Sequence, residues 1–313
     1  MKKLILIALV SIVFSLASCT SKDDSFKYES TITIYTRDTS SGTRDGFMNG
    51  IGFSEAAKSD SVLAPNFLIR DNTAIVNAMK IDEYGIGYIS LSSLNEEVKG
   101  LKFNGVQPTE ANVMNNTYEL KRPFMWMTRQ AGDYPSEKVE QLVNAFIAFL
   151  TTTDAQDIIN NAGAIGLSAT KTWDDIKSQY PITLEDNRAV TIRFGGSDSI
   201  QKVAEALTSA FKAKAGNFVA EHDHTGSSDG YKRTNDPSIK DTSVGKDVGF
   251  ASRYFTESET KDVAETNRGQ LAWDAIVAIV HKDNPINDVD AVILKNMYSG
   301  AFTTWQQVSD AIK

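Results

Sequence analysis

The chain has 313 residues, a formal net charge of −8 at pH 7 and a single cysteine. The acidic balance argues against nucleic acid as a partner, because affinity for nucleic acid depends on neutralising its phosphates. It leaves open the binding of one small anion in a cleft, where local donors decide the affinity. The length exceeds a usual single core and predicts two domains, and the lone cysteine excludes an internal disulfide.

The first residues are typical of an export signal. A basic pair precedes an apolar run, residues 4–17, that is too short to span a bilayer as a helix, which needs about 20 residues. Leu16-Ala17-Ser18-Cys19 is typical of a bacterial lipobox, in which cleavage leaves Cys19 as an acylated first residue. The alternative is an ordinary secretory signal with an incidental cysteine. We predict a signal peptide over 1–18, a lipid anchor at Cys19 and a polar tether over 19–27.

Short apolar runs then alternate with amphipathic patterns along the chain. Buried strands are predicted at Ile32–Tyr35, Gly85–Leu91, Pro123–Met127, Val190–Phe194 and Ala275–Val280, and helices over Val139–Leu150 and Ile200–Phe211. The alternation predicts an α/β fold with mostly parallel sheets, in which ligands bind where strands end and helices begin. Residues 169–187 are turn-prone and weakly periodic, which predicts a connector between two similar-sized halves.

Four segments supply the donors that a small oxyanion needs, namely a cation, hydroxyls and glycine-flanked backbone N–H groups. They are Arg37 with Ser41-Gly42-Thr43, Gly195-Gly196-Ser197-Asp198-Ser199, His224 to Gly230, and Gly249-Phe250-Ala251-Ser252-Arg253. Taken singly, each also fits an ordinary turn, a helix cap, a flexible loop or an exposed arginine. The first two segments follow predicted strands, and the four together indicate an anion site.

Together these segments resemble the ligand-contacting segments of the phosphate-binding proteins of bacterial ABC phosphate importers. Further stretches are similar to the same family, so that the resemblance covers residues 30–313: Gly85–Leu91, Leu271–Val280, Asn284-Pro285 and Tyr298–Trp305. It implies a type II periplasmic-binding-protein-like fold, with two lobes that are each a mostly parallel sheet flanked by helices. It also implies an exported monomer without enzymatic activity, cofactor or metal, which captures inorganic phosphate and delivers it to permease subunits.

The resemblance implies a ligand set drawn from both lobes: Arg37, Ser41, Gly42, Thr43, Asp198, Ser199, Ser227 and Arg253. In well-studied members of the family, an aspartate directly after a Gly-Ala-Ser run accepts the proton that phosphate carries. Arg253 occupies that position here, and Asp198 stands where threonine is common. We therefore predict that Asp198 accepts the phosphate proton and that Arg253 adds positive charge. We expect Asp38 or another nearby carboxylate to orient Arg37.

The two halves occur in exchanged order relative to the family pattern. A circular permutation explains this order, as does a chain built from parts of two neighbouring copies. The permuted arrangement places crossovers between the lobes near 120–123 and 281–285. It predicts a continuous lobe over 120–282 and a split lobe formed by 28–119 with 283–313.

Three other interpretations stay open. The protein could bind sulfate, molybdate or tungstate, or it could be a structural or signalling lipoprotein that has lost its ligand. A third interpretation is an enzyme in which His222-Asp223-His224 forms a metal pair or a base. However, the chain has only three histidines, and neither a nucleophile elbow nor a third metal-ligand cluster accompanies them. We therefore expect His222 and His224 to be loop residues.

Overall fold

The computed structural model describes residues 26–312. The predicted signal peptide, Cys19 and nearly all of the tether lie outside the described residues. Within the described range, none of the helices combines the length and the apolar character that crossing a membrane requires.

Strands and helices alternate along the described chain. The strands are β1 Thr33–Thr36, β2 Phe67–Ile69, β3 Gly85–Ser90, β4 Lys99–Gly100, β5 Lys102–Phe103, β6 Lys121–Thr128, β7 Thr191–Gly196, β8 Val219–His224, β9 Val248–Ala251, β10 Arg268–Val280 and β11 Asp288–Val289. The helices are α1 Gly42–Gly50, α2 Asn72–Met79, α3 Glu110–Met114, α4 Glu137–Leu150, α5 Thr153–Asn161, α6 Trp173–Ile176, α7 Gln201–Lys214, α8 Ser227–Asn235, α9 Glu257–Thr260, α10 Ala291–Ser299 and α11 Trp305–Ile312.

The strands form one large sheet, apart from β5 and β11, which pair with each other. Its order is β2-β1-β3-β10-β6-β9-β7-β8, and β4 also pairs with β10. Pairing is parallel at both ends of the sheet and antiparallel in the middle, where β10 joins β3 to β6. The α/β fold with mostly parallel sheets is confirmed, with the addition that one long strand joins the two parallel ends.

Buried apolar side chains form two large clusters, one at each end of the sheet. The first core packs α1, α10 and α11 against β1, β3 and the second half of β10, and the second core packs α4, α5 and α7 against β6, β7 and the first half of β10. The change from one core to the other falls between Leu120, just before β6, and Phe124 on β6, and between Ala272 and Ala275 on β10. The second change precedes the crossover expected at 281–285, because β10 passes straight through both cores. The proposed lobe limits stay predictions.

The sequence pattern predicted only the second half of β10, the longest of the described strands. Its first half is interrupted by a register shift between Gln270 and Ala272. There it also faces Pro123, which has no N–H to donate to the sheet. The backbone of Trp273 instead pairs with Ile165 through two hydrogen bonds of 2.8 and 2.9 Å. This bridge supplies the Trp273 backbone with the hydrogen-bond partners that Pro123 does not provide.

Two expectations about loops are wrong. Residues 169–187 do not link the cores, because they carry α6 and bury Trp173 and Ile182 within the second core. His222 and His224 lie on β8, which pairs in parallel with β7. The strand was hidden because β8 pairs only with β7 at the end of the sheet and its run VAEHDH is mostly polar.

The two ends of the described chain lie side by side. Thr31 forms a β-bridge with Thr304, and the Gln306 N–H donates to the Tyr28 carbonyl at 2.7 Å. The ring of Phe26 packs edge-on against Trp305, whose side chain is buried in the first core. Both ends are therefore attached to the first core.

Candidate functional site

The predicted binding residues lie at the carboxyl ends of strands from both cores. Arg37 follows β1, and Asp198 and Ser199 form the turn after β7. Ser227 is the first residue of α8 after β8, and Arg253 follows β9. Since β7, β8 and β9 are mutually parallel, their ends meet at one edge of the sheet.

The backbone of Arg37 is fixed on both sides. Its N–H donates to the Tyr88 hydroxyl at 3.2 Å, and its carbonyl accepts from Nη1 of Arg44 at 2.8 Å. The Tyr88 ring stacks on Phe47 with a centroid distance of 4.0 Å, and Arg44 also donates to the Ala56 carbonyl at 2.7 Å. Because these partners belong to the first core, Arg37 is held on a well-packed support.

The Arg37 side chain is 2% exposed, and its guanidinium pairs with a carboxylate from the other core. Nη2 donates to Oδ2 of Asp198 at 2.6 Å, and Nη1 donates to Oγ1 of Thr43 at 3.1 Å. Among residues 26–312, Nε of Arg37 is buried and has no hydrogen-bond partner. Asp38 accepts from the Ser40 N–H at 2.8 Å, so the carboxylate that orients Arg37 is Asp198.

The N-terminus of α1 faces the same place. Oγ of Ser41 caps the helix by accepting from the N–H groups of Thr43 and Arg44, at 3.2 and 3.4 Å. A Cβ atom on Gly42 would lie 2.4 Å from Oγ of Ser227 and 2.5 Å from Oγ of Ser252, both in the second core region. Only glycine therefore lets the positive end of α1 approach these hydroxyls.

A second set of contacts joins the cores beside Arg37. Oγ1 of Thr43 lies 2.7 Å from Oγ of Ser199, and Nδ2 of Asn72 donates to the same serine oxygen at 3.2 Å. Arg37, Asp198 and Ser199 also line an open cleft of about 790 Å³, which contains Asn72 as well. This cleft connects the pair of Arg37 and Asp198 with solvent.

Arg253 is directed to a different partner from the other predicted residues. Its guanidinium donates to both carboxylate oxygens of Glu259, at 2.7 and 2.9 Å, and to Oγ of Ser228 at 3.4 Å. Burial lowers the pKa of Arg253, but the hydrogen bonds and charge of Glu259 outweigh it and raise that pKa overall. The positive charge of Arg253 is thus balanced locally, and its part in anion binding stays a prediction.

Sequence reasoning missed a buried ion pair behind the site. Nε and Nη2 of Arg122 donate to Oδ2 of Asp274 at 2.9 and 2.8 Å, and Oγ of Ser90 donates to Oδ1 of Asp274 at 2.8 Å. Burial raises the pKa of Asp274, which the charge of Arg122 opposes. The available signal was a charged residue beside an apolar run on each of two strands, because buried charges require partners.

No group of three or more His, Cys, Asp and Glu residues within the described range could hold a metal ion. Nδ1 of His222 lies 3.1 Å from Nε2 of His224, and Nδ1 of His224 lies 3.0 Å from the Ser197 carbonyl. Burial lowers the pKa of both histidines, that of His222 to about 4. Both are therefore neutral at pH 7 and are engaged with each other.

The chain is similar to known proteins over most of its length. The profile of the PBP superfamily domain matches residues 9–154 and 182–313. A Streptococcus pneumoniae protein named phosphate-binding protein PstS 2 is 27% identical over 315 residues, which cover 98% of this chain and 99% of that protein. A protein of the same name from Streptococcus agalactiae is 27% identical over 299 residues, covering 94% of this chain and 93% of the relative.

A solved structure is also similar to this chain. The crystal structure of a phosphate-binding protein of a phosphate ABC transporter from Streptococcus pneumoniae matches with a TM-score of 0.64 and 25% identity, covering 89% of this chain and 99% of that chain. The sequence alignments cover nearly the whole of both chains. The circular permutation stays a prediction. On the match of the domain profile, the chain belongs to the PBP superfamily.

Proposed function

We propose that this protein captures inorganic phosphate between its two cores and delivers it to an ABC importer. The names of the relatives favour phosphate over sulfate, molybdate or tungstate. The observation that carries the proposal is the buried Arg37 guanidinium, whose Nε–H has no partner among the described residues. It lies with the N-terminus of α1 where the two cores meet, and both features stabilise an anion.

The donors for phosphate come from both sides of the cleft. Arg37, the backbone N–H groups at the start of α1 and the hydroxyl of Thr43 belong to the first core, and Ser199 and Ser227 belong to the second. Arg37 is now neutralised by Asp198, so an entering anion competes with that carboxylate. Because the anion contacts both cores, it stabilises the closed arrangement over an open one.

Asp198 is the proposed acceptor of the phosphate proton. Near neutral pH phosphate carries a proton and sulfate does not, so a carboxylate acceptor favours phosphate. The Asp198 side chain is 17% exposed and lines the cleft, and it uses only Oδ2 for Arg37. The carboxylate therefore has a second oxygen that can accept the proton of phosphate.

Titration of Asp198→Asn with phosphate and sulfate tests this role. We expect the preference for phosphate over sulfate to fall, because an amide cannot act as the anionic acceptor. Asp38→Asn is the control, since Asp38 lines the same cleft but accepts from Ser40. An equal change in affinity for both anions would restrict Asp198 to balancing the charge of Arg37.

The binding function itself is tested by calorimetry on protein produced without its first 19 residues. We expect saturable phosphate binding, and we expect Arg37→Met to weaken it by about 10- to 150-fold, the range for a lost hydrogen bond to a charged group. Failure of the wild-type protein to bind phosphate would overturn the proposal.

The proposal includes an exported, membrane-anchored monomer. Acylation at Cys19 would keep the binding domain at the outer face of the cell membrane, near its permease subunits. Palmitate labelling and membrane fractionation of the full chain test the anchor, with Cys19→Ser as the matched variant. We expect label and membrane association to be lost together in that variant, and retention of both would contradict the lipobox interpretation.

A further inference from the structure

The buried Arg122 connects a fixed carboxylate to a cluster of serine hydroxyls. Two of its nitrogens are held by Asp274, and its third, Nη1, donates to Oγ of Ser252 at 3.1 Å. Ser252 is fully buried and also contacts Ser197 and Ser227. The guanidinium is a donor only, so its contact with Ser252 can have one direction.

The direction of each hydrogen bond in this cluster then follows. Oγ of Ser252 accepts from Arg122 and from Oγ of Ser197, at 3.1 and 2.9 Å, which uses both of its lone pairs. Its own hydrogen is therefore donated to Oγ of Ser227 at 3.1 Å. Ser227 also accepts from the Ser252 N–H at 3.0 Å, so both lone pairs of Ser227 are used as well.

The Ser227 hydroxyl hydrogen is consequently left to point away from the cluster. Ser227 is fully buried, and the position of a Cβ on Gly42 would lie 2.4 Å from its oxygen. The N-terminus of α1 is thus adjacent to the hydroxyls of Ser227 and Ser252, and it presents further donors and attracts an acceptor.

We propose that Arg122 is a positioning residue for the anion site, because it sets the hydrogen-bond direction in Ser252 and so commits Ser227 to act as a donor. This inference rests on the proposed function and adds a residue that does not touch the anion. Without a donor at the Arg122 position, Ser252 could turn its hydrogen away and accept from Ser227. The hydroxyl of Ser227 would then donate to Ser252 and no longer to the anion.

A rescue experiment separates this role from a purely structural one. Arg122→Met combined with Asp274→Leu removes the donor without leaving a buried unpaired charge. We expect phosphate affinity to fall about tenfold, the effect of one lost hydrogen bond to a charged ligand. Adding Ser252→Ala should restore most of that affinity, because Ser227 then has no hydroxyl at Ser252 to donate to. A merely structural loss would not be restored by a further deletion.

Single variants keep the test decisive if the double variant does not fold. Ser252→Ala alone should bind phosphate within about threefold of wild type, whereas Ser227→Ala should lose about tenfold. A tenfold loss in Ser252→Ala, or no rescue in a folded triple variant, would overturn the role of Arg122. These outcomes presuppose phosphate binding by the wild type, whose absence would instead overturn the proposed function and the inference with it.

Discussion

Gly42 offers the sharpest test that the contact between the cores is needed for binding. In Gly42→Ala the new Cβ atom would lie 2.4 and 2.5 Å from the hydroxyl oxygens of Ser227 and Ser252, and 3.0 Å from the Ser252 carbonyl oxygen. The hydroxyls are hydrogen-bonded to one another and the third atom is backbone, so side-chain rotation alone cannot relieve the overlap. The two cores must separate at this point.

The size of the effect follows from the cost of overpacking. Such a contact destabilises the arrangement in which the cores are together by about 1–3 kcal/mol, and it has no effect when they are apart. Affinity for phosphate should therefore fall by about 5- to 150-fold. Gly42 opens α1, where alanine is a better helix former than glycine by up to about 1 kcal/mol, so the stability of the unliganded protein should be kept or slightly raised.

The assay combines calorimetry with thermal unfolding in the presence and absence of phosphate. At the same phosphate concentration, the rise in unfolding temperature should be smaller for Gly42→Ala than for the wild type, because stabilisation by a ligand depends on its affinity. Asn49→Ala is the matched control, as Asn49 is exposed near the end of the same helix. An affinity of Gly42→Ala within twofold of wild type would refute the need for this close approach.

Other parts of the structure lead to three further predictions. Burial and the charge of His224 lower the pKa of His222 from 6.5 to about 4. Between these pH values the unfolded chain binds a proton that the folded chain does not, so the folded state is fully stabilised above pH 6.5 and loses this stabilisation toward pH 4. In urea unfolding, the advantage of wild type over His222→Gln should shrink by about 1–2 kcal/mol between pH 7 and 5, after allowance for solvent screening, and a constant difference would contradict this. Arg253→Gln should change phosphate affinity less than about threefold, since Glu259 already balances that charge, and a tenfold loss by calorimetry would place Arg253 in the site. We expect a circular permutant to fold and bind phosphate if a linker of about eight glycine and serine residues joins the two ends of the described chain and new termini are opened between 169 and 170, because those ends are adjacent. An unfolded product by circular dichroism would argue against this.

The local sequence pattern was sufficient to predict the structure of the Arg37 segment. A strand, a buried arginine and a Ser-Gly-Thr helix start follow each other within a few residues, and the structure forms them in that order as β1, Arg37 and α1. Helical spacing likewise predicted α4 and α7, since their apolar positions repeat on one face.

Long-range pairs were beyond local patterns. Arg122 and Asp274 are 152 positions apart, and no spacing rule connects two residues on different strands. The partner of Arg253 was closer at hand: Thr256 and Glu259 form a capping box, which fixes Glu259 at the first turn of α9 beside the arginine. Reading that signature would have shown that the charge of Arg253 has a neighbour of opposite sign.

The packing of the N-terminal segment has a consequence for motion at the membrane. Phe26 and Tyr28 attach the start of the described chain to Trp305 and Gln306, on the first core. A chain anchored through Cys19 would therefore be held to the bilayer by one half only. The second half, which carries Asp198 and Ser227, would be the part that swings relative to the membrane when the anion enters or leaves. A permease could then sense loading as a displacement of that free half.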